Sequence, residues 1–264
     1  MCLVGLAYKI WDGYPIVIAS NRDEFFARPA ARAGFWEDAP YLLAGRDRIS
    51  LGTWLGVTKE GKISFVTNKR DLRDPPVSNP ISRGKLVENF LRGEFSAEDY
   101  AKNLYTGRNF YEGFNLFLFD GKEARYLSNR RDGVETIGPG FHALSNSLWN
   151  TEWPKTKKIR EAMIRISEKT EKGNDPSQIA SELFHTLGDE EKASEESLPD
   201  TGIGVLKEMA LSSVRISVPG YGTRVSTIVM ISEEGVCSFW EKTYPGPFTR
   251  ETEDVHYEFS IVRK

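Results

Sequence analysis

Four times along the chain an apolar run, a short turn containing glycine and a second apolar run follow one another, and this recurrence limits the fold more than any other feature. Residues 2–8 and 14–20 (CLVGLAY and YPIVIAS) flank Trp11-Asp12-Gly13. LGTWLGVTKEGKISFVTN (51–68) turns at Lys59-Glu60-Gly61, NLFLFDGKEARYLSN (115–129) at Asp120-Gly121, and RVSTIVMISEEGVCSFWEKTY (224–244) at Glu233-Glu234-Gly235. Strand-forming residues bounded by such turns predict β-hairpins. HALSNS (142–147) reads as short and extended, and HYEFSIVRK (256–264) alternates like a closing strand. The second strand is expected to end where Asn21-Arg22-Asp23-Glu24 turns the chain polar.

Helical periodicity lies between the hairpins. SRGKLVENFLRG predicts a helix capped by Ser82 and ended by Gly93, and SAEDYAKNLYTG one capped by Ser96, with Glu98 and Asp99 facing the helix dipole in its first turn. TEWPKTKKIREAMIRISEKTEKG repeats apolar residues at Ile159, Ala162, Met163 and Ile166, the three- and four-residue steps of a helix face, and PSQIASELFHTLGD predicts another helix. Residues 188–204, acidic and poor in apolar side chains, read as a loop. Hairpins interleaved with helices predict an α+β fold in which two antiparallel sheets stack and helices cover them. No repeat or linker divides the 264 residues, so one domain over 1–264 is expected.

Composition excludes several function classes. A formal charge of -3 provides no basic footprint for nucleic acid or an anionic membrane. No apolar run approaches the ~18 residues of a membrane-spanning helix, and the first residues lack the pattern of a signal peptide. A cytoplasmic protein is expected. Cys2 and Cys237 are the two cysteines; their spacing offers no metal framework, and free thiols are the simpler reading beside a single disulfide.

Cys2 occupies an unusual place for a small hydrophobe. Removal of Met1 would leave its α-amine, which titrates at about 7.7–8.0, within reach of its own thiol. Nucleophile and base would then come from one residue. Such a unit needs polar partners, and strand ends supply candidates. Arg22 and Asp23 follow the strand that pairs with the Cys2 strand. Asp23 is suited to hold an ammonium group, and Arg22 to bind a carboxylate or developing negative charge. Asn68 and Asn146 end extended segments, where an amide can donate to an oxyanion. Arg224 opens an apolar strand after two glycines. Each also has an ordinary reading: Asp23 and Arg22 as a surface pair, the asparagines as turn residues, Arg224 as a strand-end cation. Trp54 is one of several aromatics near these segments, with Phe25, Phe26, Trp36 and Trp149, suited either to a ligand pocket or to the core.

ASNRDEFFARPA (19–30), GTWLG (52–56), YEGFNL (111–116), LSNS (144–147) and PGYGTR (219–224) together resemble the NRDE family, also called transport and Golgi organisation 2-like. More distantly the chain resembles the choloylglycine hydrolase and penicillin V acylase branch of the N-terminal nucleophile (Ntn) hydrolases. The resemblance implies a four-layer αββα sandwich, Cys2 as nucleophile, Asp23 orienting its amine, and Asn68, Asn146 and Arg224 completing the catalytic set. In that branch an arginine stands three residues before the aspartate; here that place is Ser20, and Arg22 is the nearest replacement. Substrate binding falls to Arg22 and Trp54. The implied activity is hydrolysis of a small-molecule amide, which requires no metal or organic cofactor. The alternative is a carrier of an apolar ligand on the same scaffold, with haem implied as possible. His142, His185 and His256 are the three histidines, no Cys-x-x-Cys-His motif is present, and His142 is the nearest candidate ligand.

Overall fold

In a computed structural model, residues 3–170, 175–245 and 254–262 are described. Their first hairpin is β1 (Leu3–Trp11) and β2 (Tyr14–Phe25), followed by a second, β3 (Ala30–Trp36) and β4 (Ala39–Asp47). Then come β5 (Leu55–Thr58), β6 (Ile63–Asn68), α1 (Gly84–Arg92), α2 (Ala97–Gly107), β7 (Phe114–Phe119), β8 (Ala124–Ser128), β9 (Val134–Thr136) and β10 (Gly140–Leu144). The chain continues with α3 (Pro154–Lys169), α4 (Pro176–Leu187), α5 (Val205–Ala210), β11 (Ser217–Val218), β12 (Tyr221–Ile231), β13 (Val236–Thr243) and β14 (Asp254–Ser260). One antiparallel sheet runs β10-β1-β2-β12-β13-β14, with β11 on β12; the other runs β3 to β9 in chain order.

Alternation along the strands sorts side chains into three apolar layers. Ile16 and Ile18 of β2 join Phe65, Phe117, Val229 and Phe239 between the sheets. Their neighbours Val17 and Ala19 face outward against Ile159, Met163 and Leu183 of α3 and α4. On the far side of the second sheet, Leu86, Phe90 and Tyr100 of α1 and α2 cover Leu42, Leu116 and Leu118. Three separate layers between four tiers of structure make the αββα sandwich. Gly5 lets α3 lie close on β1, since a Cβ there would stand 2.5 Å from Met163 Sδ and 2.8 Å from Ile159 Cγ1. Among the described residues no helix is long and apolar enough to cross a membrane.

Departures from expectation have identifiable causes. β2 runs through the Asn-Arg-Asp-Glu string to Phe25, because β12 pairs alongside it as far as Tyr221. The hairpin β3–β4 was not expected; its alternation is broken by register shifts between Ala31 and Gly34 and between Phe35 and Trp36. α5 begins one residue past the expected loop. Ser96 caps α2, accepting from the Asp99 N–H at 3.0 Å. Ser82 does not cap α1: Arg83 occupies that place, and the Ser82 carbonyl accepts from Lys85 N–H. Cys237 is a buried free thiol in the layer between the sheets, and burial raises its pKa.

Candidate active site

The strand pairing brings polar ends of both sheets to one edge of the sandwich. β1 lies between β2 and β10, with Leu3 opposite Asn21 and Val4 opposite Leu144. Just past these pairs stand Arg22 and Asp23 on one side and Asn146 on the other. Cys2 is bonded to Leu3 and lies outside the described residues.

The period-two geometry of β2 divides the polar string between two layers. Asn21 faces outward, its amide donating to the carbonyls of Leu187 and Val214 at 2.9 Å each. Asp23 lies on that same face and is buried; its Oδ1 accepts from Thr223 Oγ1 at 2.6 Å. Arg22 and Glu24 face the other way and line a cavity of about 290 Å³, with Arg28, Asp47, Ser50, Trp54, Asn68 and Arg83 among its walls. Close backbone contact shapes one wall: a Cβ on Gly52 would stand 2.6 Å from the carbonyl carbon of Gly84 at the start of α1.

Arg22 is 4% exposed, an uncommon setting for a guanidinium. Its cation lies 4.3 Å from the Trp54 ring centroid, and its Nη2 is 3.4 Å from Asp47 Oδ2. Burial lowers its pKa, while Glu24 and Asp47 oppose that shift. Asp47 is the hub of the cluster. Its Oδ2 accepts from Arg28 Nε at 2.6 Å, and its Oδ1 from the N–H groups of Ile49 and Ser50 at 3.0 and 2.8 Å. Burial would raise the carboxyl pKa, but the Arg28 and backbone hydrogen bonds outweigh it and hold the group below its ordinary value. Two guanidinium groups thus share one ionised carboxylate at the cavity wall.

Asn68 closes β6 at the cavity, and its carbonyl accepts from Asn146 Nδ2 at 3.0 Å. The Asn146 carbonyl in turn accepts from Arg70 N–H at 2.8 Å. Arg22, Trp54 and Asn68 therefore meet around one cavity, with Asn146 fastened to Asn68. Arg224 is placed otherwise. It is the extra residue of a bulge in β12, between the pairs Thr223–Asp23 and Val225–Arg22. Its Nη1 donates to the carbonyls of Phe25, Phe26 and Arg28 at 3.1–3.3 Å, closing the turn after β2. Burial lowers its pKa, against the attraction of Glu24.

A sequence model of the Transport and Golgi organisation 2 family matches residues 1–246. The chain belongs to that family. The mouse "Transport and Golgi organization 2 homolog" is 30% identical over 268 residues, covering 95% of this chain and 94% of the mouse protein. The human "Transport and Golgi organization protein 2 homolog" is 30% identical over 261 residues, with the same coverage. Among solved structures, a mutant conjugated bile acid hydrolase from Clostridium perfringens superposes with a TM-score of 0.50 at 11% identity, covering 96% of this chain and 92% of that one. That likeness is one of fold: this transport and Golgi organisation 2 family member has the Ntn-hydrolase sandwich.

Several residues of this family member escaped the sequence reading. Asp47 and Arg28 gave no signal beyond their charge. Glu241 of β13 is 1% exposed and faces the layer between the sheets. Its Oε1 accepts from Ala33 N–H at 2.7 Å, and its Oε2 is buried with no hydrogen-bond partner among the described residues. Burial pushes its pKa up to about 7, opposed by the Ala33 N–H and Arg22. His142 has both ring nitrogens engaged, Nε2 with the Gly138 carbonyl at 3.0 Å and Nδ1 with the Asn150 amide at 3.1 Å. No group of three or more potential metal ligands occurs among the described residues.

Proposed function

We propose that this member of the transport and Golgi organisation 2 family is an amidohydrolase whose nucleophile is Cys2, made N-terminal by removal of Met1. One observation supports this reading above the others. The strands on both sides of β1 carry their polar residues, Arg22 and Asp23 on β2 and Asn146 after β10, just past the pairs that hold Leu3 and Val4. Leu3, the residue to which Cys2 is bonded, opens β1 at that end, and Arg22 of the neighbouring strand lines a polar cavity with Trp54 and Asn68.

In the proposed reaction the α-amine of Cys2 accepts the thiol proton, and the sulfur adds to the amide carbon of the substrate. The negative charge that develops on oxygen is stabilised by the amides of Asn68 and Asn146; the latter uses one of its two hydrogens on the Asn68 carbonyl and keeps the second. Collapse breaks the C–N bond, and the leaving amine takes the proton from the α-ammonium. Water then cleaves the thioester, releasing a carboxylic acid and restoring the thiol. Asp23 orients the amine, Arg22 and Trp54 bind substrate, and Arg224 fixes the turn that carries Arg28.

The test begins with the intact mass of the purified protein, which reports whether Met1 is gone. Exposure to 4-nitrophenyl acetate should then add one acetyl group to Cys2 and release nitrophenolate. The Cys2→Ala variant should fold normally and do neither. Retention of Met1, or equal nitrophenolate release by the variant, would overturn the mechanism.

A further inference from the structure

The layer between the sheets is apolar over most of its extent, yet at the cavity end a polar network crosses it. Thr67 of β6, Asn115 of β7 and Tyr126 of β8 are each at most 1% exposed. All three grip the loop that follows β10. Thr67 Oγ1 donates to the Ser145 carbonyl at 2.8 Å. Asn115 Nδ2 donates to the Ser147 carbonyl at 2.8 Å and to Thr67 Oγ1 at 3.1 Å. Tyr126 donates to Asn115 Oδ1 at 2.7 Å and accepts from Trp149 N–H at 3.2 Å. The Tyr126 and Trp149 rings pack with centroids 5.2 Å apart. With the Asn146–Asn68 bond, residues 145, 146, 147 and 149 are each tied to the opposite sheet.

Asn115 is the hub, since both hydrogens of its amide and its oxygen are used. A buried network of this kind costs desolvation that an apolar contact would avoid, and in return it specifies one geometry. Apolar packing already joins the sheets elsewhere. What the network adds is a fixed position for residue 146 relative to residue 68.

The geometry points to Asn115, with Tyr126 and Thr67 behind it, as the positioning residue that sets the spacing of the Asn68 and Asn146 amides for the oxyanion. This inference rests on the amidohydrolase reading. Asn115 touches no substrate; it acts through the loop.

The test compares two reactions at the same sulfur. Acetyl transfer from 4-nitrophenyl acetate passes through a tetrahedral oxyanion. Alkylation by iodoacetamide displaces iodide from a saturated carbon and forms none. Both are followed at Cys2 by mass in the full chain. In Asn115→Leu, acetylation should fall about 10- to 100-fold, the loss that an ångström-scale misplacement of catalytic groups produces. Alkylation should change by less than about twofold, because thiolate formation is untouched. Tyr126→Phe, which removes one oxygen, should show the same split with a smaller loss, and it decides the question if Asn115→Leu does not fold. Equal losses in both reactions, or no loss of acetylation, would overturn the positioning role. Wild-type protein that is alkylated but never acetylated would instead sink the hydrolase reading, and this inference with it.

Discussion

Glu241 gives the sharpest test, because a titratable group is buried between the sheets with one oxygen unpaired among the described residues. Its ordinary pKa of 4.5 is raised to about 7 in the fold. Below pH 4.5 the carboxyl is neutral in folded and unfolded chains alike, so it imposes no penalty. Between pH 4.5 and about 7 the unfolded chain releases its proton while the folded one retains it, and stability falls as pH rises. Above pH 7 both are ionised and the penalty levels off at about 3 kcal/mol, from 1.36 kcal/mol per pH unit over that interval. Glu241→Gln keeps an oxygen to accept from Ala33 N–H and removes the ionisation. Urea unfolding of both proteins at half-unit steps from pH 4.5 to 8 isolates this group, because all other titrations, including that of half-buried His142, cancel in the difference. The variant should gain on the wild type by about 3 kcal/mol across the series, most of it between pH 5 and 7. Parallel stability profiles would show that the buried carboxyl is not penalised when charged, and the account of the interior around Arg22 would fail.

Two further perturbations address packing and the charged cavity wall. Asp47→Ala leaves the Arg22 and Arg28 guanidinium groups without their shared acceptor and should destabilise the protein by about 3 kcal/mol in urea unfolding. Asp47→Asn, which retains an acceptor for the Ile49 and Ser50 N–H groups, should cost less. Gly5→Ala drives a methyl group into Met163 and Ile159 and should cost about 1–3 kcal/mol. The double variant with Met163→Ala should cost less than the sum of the two single substitutions, whereas strictly additive costs would refute the proposed contact.

The hairpins were legible because their strands are apolar on alternate or successive positions and their turns carry glycine. The helices α1 to α4 were legible from their periodicity, and the cap at Ser96 from its place before Glu98 and Asp99; α5, six residues long, is too short to show a period. β3 and β4 were not, since Ala30–Trp36 is rich in alanine, glycine and arginine, and its bulges break the alternation that marks a strand. The end of β2 was misplaced for an instructive reason. A run of four polar residues reads as a turn, but a strand that forms the wall of a polar cavity is polar while still paired. The candidate site residues Arg22, Asn68 and Asn146 stood out because they follow or end apolar runs. Asp47, Glu241 and Asn115 did not, because a charged or amide residue within a strand looks the same in sequence whether it faces solvent or the interior. Their burial depends on contacts with residues far away in the chain, such as Ala33 for Glu241 and Ser147 for Asn115.

The division of the Asn21–Glu24 string between two layers bears on how such a chain can change over time. Side-chain direction in β2 depends only on parity, so losing or gaining one residue between Tyr14 and Asn21 would exchange the occupants. A guanidinium would be driven under the helices, and a carboxylate would enter the sandwich beside Glu241. Substitutions along this strand are separable events, but a single-codon deletion is not. The stretch is therefore a reading frame in three dimensions, inherited at fixed length or lost altogether.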